Sequence, residues 1–148
     1  VYPGLPAFSP ELFAHLRNPD PSQAKKFQKG VEQLEEEGAV QILRPIHAAT
    51  QEPILAAVGQ LQFEVVQFRL QAEYGVKTRL EPLQFTAARW VADGWEALER
   101  AGRLFETFTA KDRFNRPVLL FRSDWHLRSV EKDNPQLRLT PVAPMLAE

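Results

Sequence analysis

Two kinds of apolar spacing divide the first half of this chain into elements. Asp20-Pro21 pairs a helix-capping residue with one whose fixed φ suits a first helical turn. Apolar side chains then recur at Ala24, Phe27, Val31 and Leu34, a stripe at helical spacing that stops before Gly38. Lys25, Lys26, Lys29 and Glu32 lie off that stripe. Ala39 to Ile46 and Pro53 to Val58 are rich in Val, Ile and Leu and are bracketed by turn-prone or proline-containing segments, which predicts the two strands of a hairpin. Helical spacing returns from Gln60 to Tyr74, with Leu61, Val65, Phe68 and Ala72 on one face and Phe63, Val66 and Leu70 on its flanks. A stripe that broad predicts a helix buried against a sheet. Gly75 supplies a C-terminal stop and Val76 to Leu83 a fourth strand. Residues 7–17 carry Phe8, Leu12, Phe13 and Leu16, a spacing open to a strand or a short helix.

With a strand at that first position the order becomes strand, helix, two strands, helix, strand. This is the split βαβ order of a ferredoxin-like α+β sandwich, an antiparallel sheet with both helices on one face. A second run follows. It reads as a strand over Phe85 to Ala92, a helix with Trp95, Leu98, Phe105 and Phe108, a strand at Pro117 to Phe121, a short helix from Ser123 and a strand around Leu137 to Leu139. These elements are expected to extend or cover the first sheet. The expected organisation is a single domain over 7–143, with a ferredoxin-like lobe at 7–83 and an extension at 84–143. Residues 1–6, with two prolines and a glycine, read as a linker from a longer protein, and 144–148 as a frayed tail. No internal repeat is legible beyond this alternation.

Composition narrows the function classes. At 148 residues and 44% hydrophobic the chain can bury one ordinary core. No apolar run approaches the roughly 18 residues of a membrane span, and no signal-peptide pattern is present. The absence of cysteine excludes disulfides and thiolate metal sites and fits a reducing, cytoplasmic setting. The first 74 residues hold six basic and nine acidic side chains and the remainder twelve and ten, so no long-range basic field exists to capture nucleic acid by charge alone.

Sequence signals for chemistry are sparse. A phosphate-binding loop needs closely spaced glycines followed by Lys and Ser or Thr, and Gly30, Gly38 and Gly59 lack that context. Ser123-Asp124-Trp125-His126 holds triad residue types, but neighbouring positions of a helix's first turn point apart, and a Ser cap with an acidic first turn explains the same letters. His15, His47 and His126 show no metal-ligand spacing. No catalytic, cofactor-binding or metal-binding residue is therefore expected. Ferredoxin-like folds include the acylphosphatases, whose glycine-rich loop has no match here. Two charge clusters are the candidate partner contacts: Glu35, Glu36 and Glu37 at the negative end of a helix dipole, and the basic loop of Lys111, Arg113 and Arg116, with Arg122 and Arg128 nearby. Each also has a plain reading as solvated surface, and as surface both clusters are expected to be exposed.

Several segments resemble a known family. Phe8-Ser9-Pro10-Glu11, Asp20-Pro21, Lys29-Gly30, Gly38-Ala39-Val40-Gln41, Arg44-Pro45, Ala57 to Phe63, Glu73-Tyr74 and Ala88-Arg89-Trp90-Val91 are similar to the C-terminal domain of the GTP-dependent class II peptide chain release factors. The third domain of elongation factor G is a more distant likeness. The resemblance favours a strand at residues 7–17. It implies a noncatalytic ribosome-docking and interdomain module of a translational GTPase that promotes dissociation of codon-reading release factors. It further implies GTPase and barrel domains upstream that hold GTP or GDP with Mg, a ribosomal partner of rRNA and proteins, cytoplasmic location and no membrane. The competing expectation is a stand-alone ferredoxin-like domain that binds a ligand or acts as an enzyme.

Overall fold

The computed structural model describes residues 9–46, 52–101, 104 and 106–143. The expected linker at 1–6, the tail at 144–148, and Phe8, His47 and Phe105 lie outside the described residues. The first half runs β1 (Leu12–Arg17), α1 (Ala24–Glu36), β2 (Gln41–Pro45), β3 (Ile54–Ala57), α2 (Gln60–Tyr74) and β4 (Arg79–Leu83). Its strands lie in the order β4-β1-β3-β2 with antiparallel pairing, the ferredoxin-like arrangement. Asp20 caps a short 3-10 turn at Pro21–Gln23 by accepting from the Ser22 amide at 3.0 Å, and α1 continues from it.

The second half runs β5 (Ala87–Val91), α3 (Gly94–Ala101), β6 (Thr107–Lys111), β7 (Pro117–Phe121), α4 (Asp124–Asp133) and β8 (Leu139–Thr140). This corrects one expectation. Phe108 belongs to a strand rather than to the helix that begins near Trp95, because Thr107-Phe108-Thr109-Ala110-Lys111 pairs with β7 along its whole length. With β6 in place, the second half repeats the strand and helix order of the first, and its strands lie as β6-β7-β5-β8, the same relative arrangement. The chain therefore contains a topological repeat that its sequence does not display.

The two repeats join through their equivalent edge strands. Arg44 opposite Lys111 and Pro45 opposite Ala110 couple β2 to β6 and make one eight-stranded antiparallel sheet. β1 and β5 stand five strand spacings apart in that order, about 24 Å if the sheet were flat. Yet Phe13, Leu43 and Ile54 share a buried cluster with Ala88, Trp90, Val118 and Leu120, so the sheet folds back on itself. Three cores result. One lies between the two inner sheet faces, and two lie under the outer helices, with α1 and α2 over Leu16, Ile42 and Leu55 and α3 and α4 over Leu119 and Phe121.

Helix orientation brings two further corrections. In α1 the buried set is Phe27, Gly30, Val31 and Leu34, while Ala24 is exposed. Gly30 sits where a Cβ would approach Leu70 Cδ2 to 2.6 Å, so its lack of a side chain sets how closely α1 meets α2. In α2 the expected flank of Phe63, Val66 and Leu70 is the buried face, and the expected inner stripe of Leu61, Val65, Phe68 and Ala72 points outward. Trp90 is also a core residue, but it lies on the opposite side of the sheet from Phe63, Val66 and α2.

Candidate functional site

The β2–β6 junction brings the two sequence-predicted charge clusters to one place. α1 ends at the junction in a left-handed Gly38, φ 77, with the Gly38 amide donating to Glu35 O at 3.1 Å and the Ala39 amide to Leu34 O at 3.1 Å. The β6–β7 hairpin delivers Lys111, Arg113 and Arg116 to the same neighbourhood, and a cleft of about 450 Å³ opens there, lined by Glu35, Glu36, Glu37, Trp90, Asp112 and Arg113 among others. Arg122 and Arg128 lie beyond the far end of β7 from the hairpin and do not join the cluster.

The three glutamates have three different surroundings. The Glu35 side chain is only 9% exposed, against the expectation of a surface position. Its Oε1 lies 3.6 Å from Arg44 Nη1, and its Oε2 is buried without a hydrogen-bond partner. Loss of water raises the Glu35 carboxyl above its ordinary value, opposed by the Arg44 and Arg113 guanidiniums. A full-length acidic side chain fits here because Arg44, on β2, reaches the last turn of α1. Glu36 is exposed and makes no ion pair among the described residues. Glu37 crosses to α2, where Arg69 Nη1 donates to it at 2.7 Å and lowers its carboxyl, as does Gln33. Arg69 also holds Glu73 through two hydrogen bonds, Nε at 2.7 Å and Nη2 at 3.1 Å, so this ion pair ties the two outer helices together.

The basic side is organised by a residue that sequence reading passed over. Asp112 Oδ1 accepts from the Phe114 amide at 3.0 Å and the Arg116 amide at 2.9 Å, and Oδ2 accepts from Trp90 Nε1 at 3.0 Å and Arg116 Nε at 2.8 Å. A single carboxylate thus closes the hairpin turn and pins it to the central core. The available signal was an Asp opening a short polar stretch just before the apolar run Pro117 to Phe121, a setting in which Asp bonds to backbone two residues on. Asn115 takes the left-handed conformation of the turn, φ 63, and its carbonyl accepts from the Trp95 indole. Arg113 donates to Glu35 O at 3.4 Å, placing a cation at the negative end of α1, and both Arg113 and Arg116 stand 5.0 Å from the Phe114 ring centroid. Arg116 is therefore bound within the turn, Arg113 bridges to the helix end, and Lys111 lies opposite Arg44 at the strand junction.

Ser123, His126 and Gly59, weighed for chemistry from sequence, lie in hydrogen-bonded helix caps. Ser123 Oγ accepts from the His126 amide at 3.3 Å as an N-cap, with Asp124 in the first turn of α4. His126 Nδ1 also lies 2.7 Å from that hydroxyl. At Gly59 the Gln62 side chain accepts from the Val58 and Gly59 amides at 2.8 and 3.2 Å, a cap that closes the start of α2. Among the described residues no group of three His, Asp or Glu is placed to hold a metal ion, and no helix is long and apolar enough to cross a membrane.

Comparison with known proteins gives a consistent set of relatives. The family model for the class II release factor RF3 C-terminal domain matches residues 2–131. Peptide chain release factor 3 of Microcystis aeruginosa is 64% identical over 144 residues, covering 97% of this chain and 26% of that protein. The proteins of the same name from Gloeothece citriformis and Synechococcus elongatus are 60% and 61% identical, covering 97% and 99% of this chain and 27% and 26% of theirs. The chain spans about a quarter of the length of the curated relatives it matches.

Proposed function

This chain belongs to the family of class II release factor RF3 C-terminal domains, and on that premise we propose that it is the noncatalytic, ribosome-docking and interdomain module of a translational GTPase. In this reading the complete factor acts in translation termination in the cytoplasm and promotes departure of the codon-reading release factors. GTP or GDP and Mg belong to a GTPase domain upstream, followed by a barrel domain. The observation that carries the proposal is the family match, which runs from residue 2 to residue 131.

The physical task of such a module is differential contact. A domain without nucleotide chemistry of its own shifts a conformational equilibrium only by binding two states of its surroundings unequally. The charged cleft suits that task, because it lies where the two half-sheets meet and the Arg113 hydrogen bond to the end of α1 ties one half to the other. Glu36 and Arg113 on its lining, and Lys111 at the adjoining strand junction, are the candidate outward contacts, while Glu35, Glu37 and Arg116 act from within by holding the cleft's shape.

Ribosome pelleting with the full-length factor tests the reading. Lys111→Gln with Arg113→Gln should weaken binding and flatten its salt dependence by a slope of roughly 1 to 2 if both meet RNA phosphates. Glu36→Gln should weaken binding if a basic ribosomal protein lies opposite. Wild-type pelleting in every variant would remove the cleft from the docking surface. Titration of this chain with GTP and GDP should give no site tighter than about 10 μM, roughly 7 kcal/mol.

A further inference from the structure

The outward face of α2 is out of character with the rest of the surface. Leu61 is 70% exposed, Phe68 72% and Val65 42%, and all three sit on the side of the helix away from Phe63, Val66 and Leu70. Five of the seven exposed large hydrophobic side chains among the described residues are these three together with Leu12 and Val58, which flank the N-terminal end of the same helix. The fold itself does not require this. In the topologically equivalent helix α4, Arg128, Glu131 and Lys132 are exposed, and in α1 Lys25, Lys26, Lys29 and Glu32 are. A clustered apolar face rimmed by polar residues marks an interaction site.

We propose that this face of α2 is the seat of the domain immediately upstream in the same polypeptide, an assignment that rests on the reading of this chain as the C-terminal part of a larger factor. Two observations select that occupant. The relatives are about four times longer than the matched region, so most of their chain lies outside it. The chain also reaches the fold beside this patch: the Glu11 amide donates to Ala57 O at 3.0 Å, Leu12 pairs with Ala57, and Val58-Gly59 lead directly into α2. An upstream domain is therefore tethered next to Leu12, Val58 and Leu61, where its effective concentration is high and a modest apolar contact suffices to hold it.

A photocrosslinking amino acid at position 68 of the full-length factor reads the occupant directly, with position 61 as a second site and position 125, the exposed tryptophan of α4, as the control. Expected is an intramolecular crosslink, at monomer mass, from positions 68 and 61 to peptides upstream of residue 9, in at least about tenfold greater yield than from position 125. Crosslinks at dimer mass, crosslinks only to ribosomal components, or no preference over position 125 would each overturn the assignment. Leu61→Glu with Phe68→Glu should increase the radius of gyration of the full-length factor in solution scattering, and an unchanged radius would also overturn it. Ribosome pelleting of the unmodified factor separates the two ideas, since loss of pelleting would count against ribosome docking whatever the crosslinks show.

Discussion

Two phenylalanines five residues apart in one helix provide a sharp test of the α2 orientation. Phe63 is 3% exposed and packs with Val66, Leu70 and the helix-covered side of β1 and β3, whereas Phe68 is 72% exposed. Phe63→Ala removes a buried ring and leaves a cavity, a loss of about 3 to 5 kcal/mol. Phe68→Ala removes little buried area and improves helix propensity by about 0.5 kcal/mol, so its net effect should be within about 0.5 kcal/mol of zero. In urea, with an m-value of about 2 kcal/mol/M, the first substitution should lower the midpoint by roughly 1.5 to 2.5 M and the second should leave it in place. That contrast is large beside a total stability of about 5 to 15 kcal/mol. Equal shifts, or a larger loss at Phe68, would mean that α2 is turned by about half a revolution from the described packing and that the exposed stripe does not exist.

Three further outcomes follow from the junction and the helix contact. The raised Glu35 carboxyl binds its proton more tightly folded than unfolded, so its contribution to stability is largest below its ordinary value of 4.5 and declines as pH rises through the folded value. Denaturation midpoints should therefore show Glu35→Gln gaining on the wild type between pH 4 and pH 7, and a gap that is flat with pH would refute the burial. Asp112→Ala should cost about 2 to 4 kcal/mol and red-shift tryptophan emission, because the Trp90 indole loses its acceptor and the turn loses two backbone anchors. Gly30→Ala should lower the thermal midpoint despite its propensity gain of about 1 kcal/mol, because the added Cβ overpacks against the fully buried Leu70.

Much of the first repeat was legible in the order of residues because its determinants are local. The α2 limits, Gln60 to Tyr74, follow from a glycine at each end, and the strand and helix order of residues 12–83 follows from a change of apolar period between 3.6 and 2. The family likeness was equally legible, since it rests on short segments that survive as strings of letters.

Tertiary structure decided what periodicity leaves degenerate. Apolar residues surround α2 on nearly all sides, so the sequence offers two possible inner faces; the choice falls to Phe63, Val66 and Leu70 because Leu70 and Tyr74 meet the bare backbone of Gly30. The second repeat was hidden because β6, five residues with no flanking glycine or proline, owes its strand character to β7 on one side and β2 on the other. The same pairing joins residues 44 and 111 and so brings two distant charge clusters into one cleft, with Glu35 inside it and Asp112 as its brace. Local spacing determines which elements form. Long-range pairing determines which faces they bury and which charges meet, because those depend on contacts between residues that no short window of sequence contains.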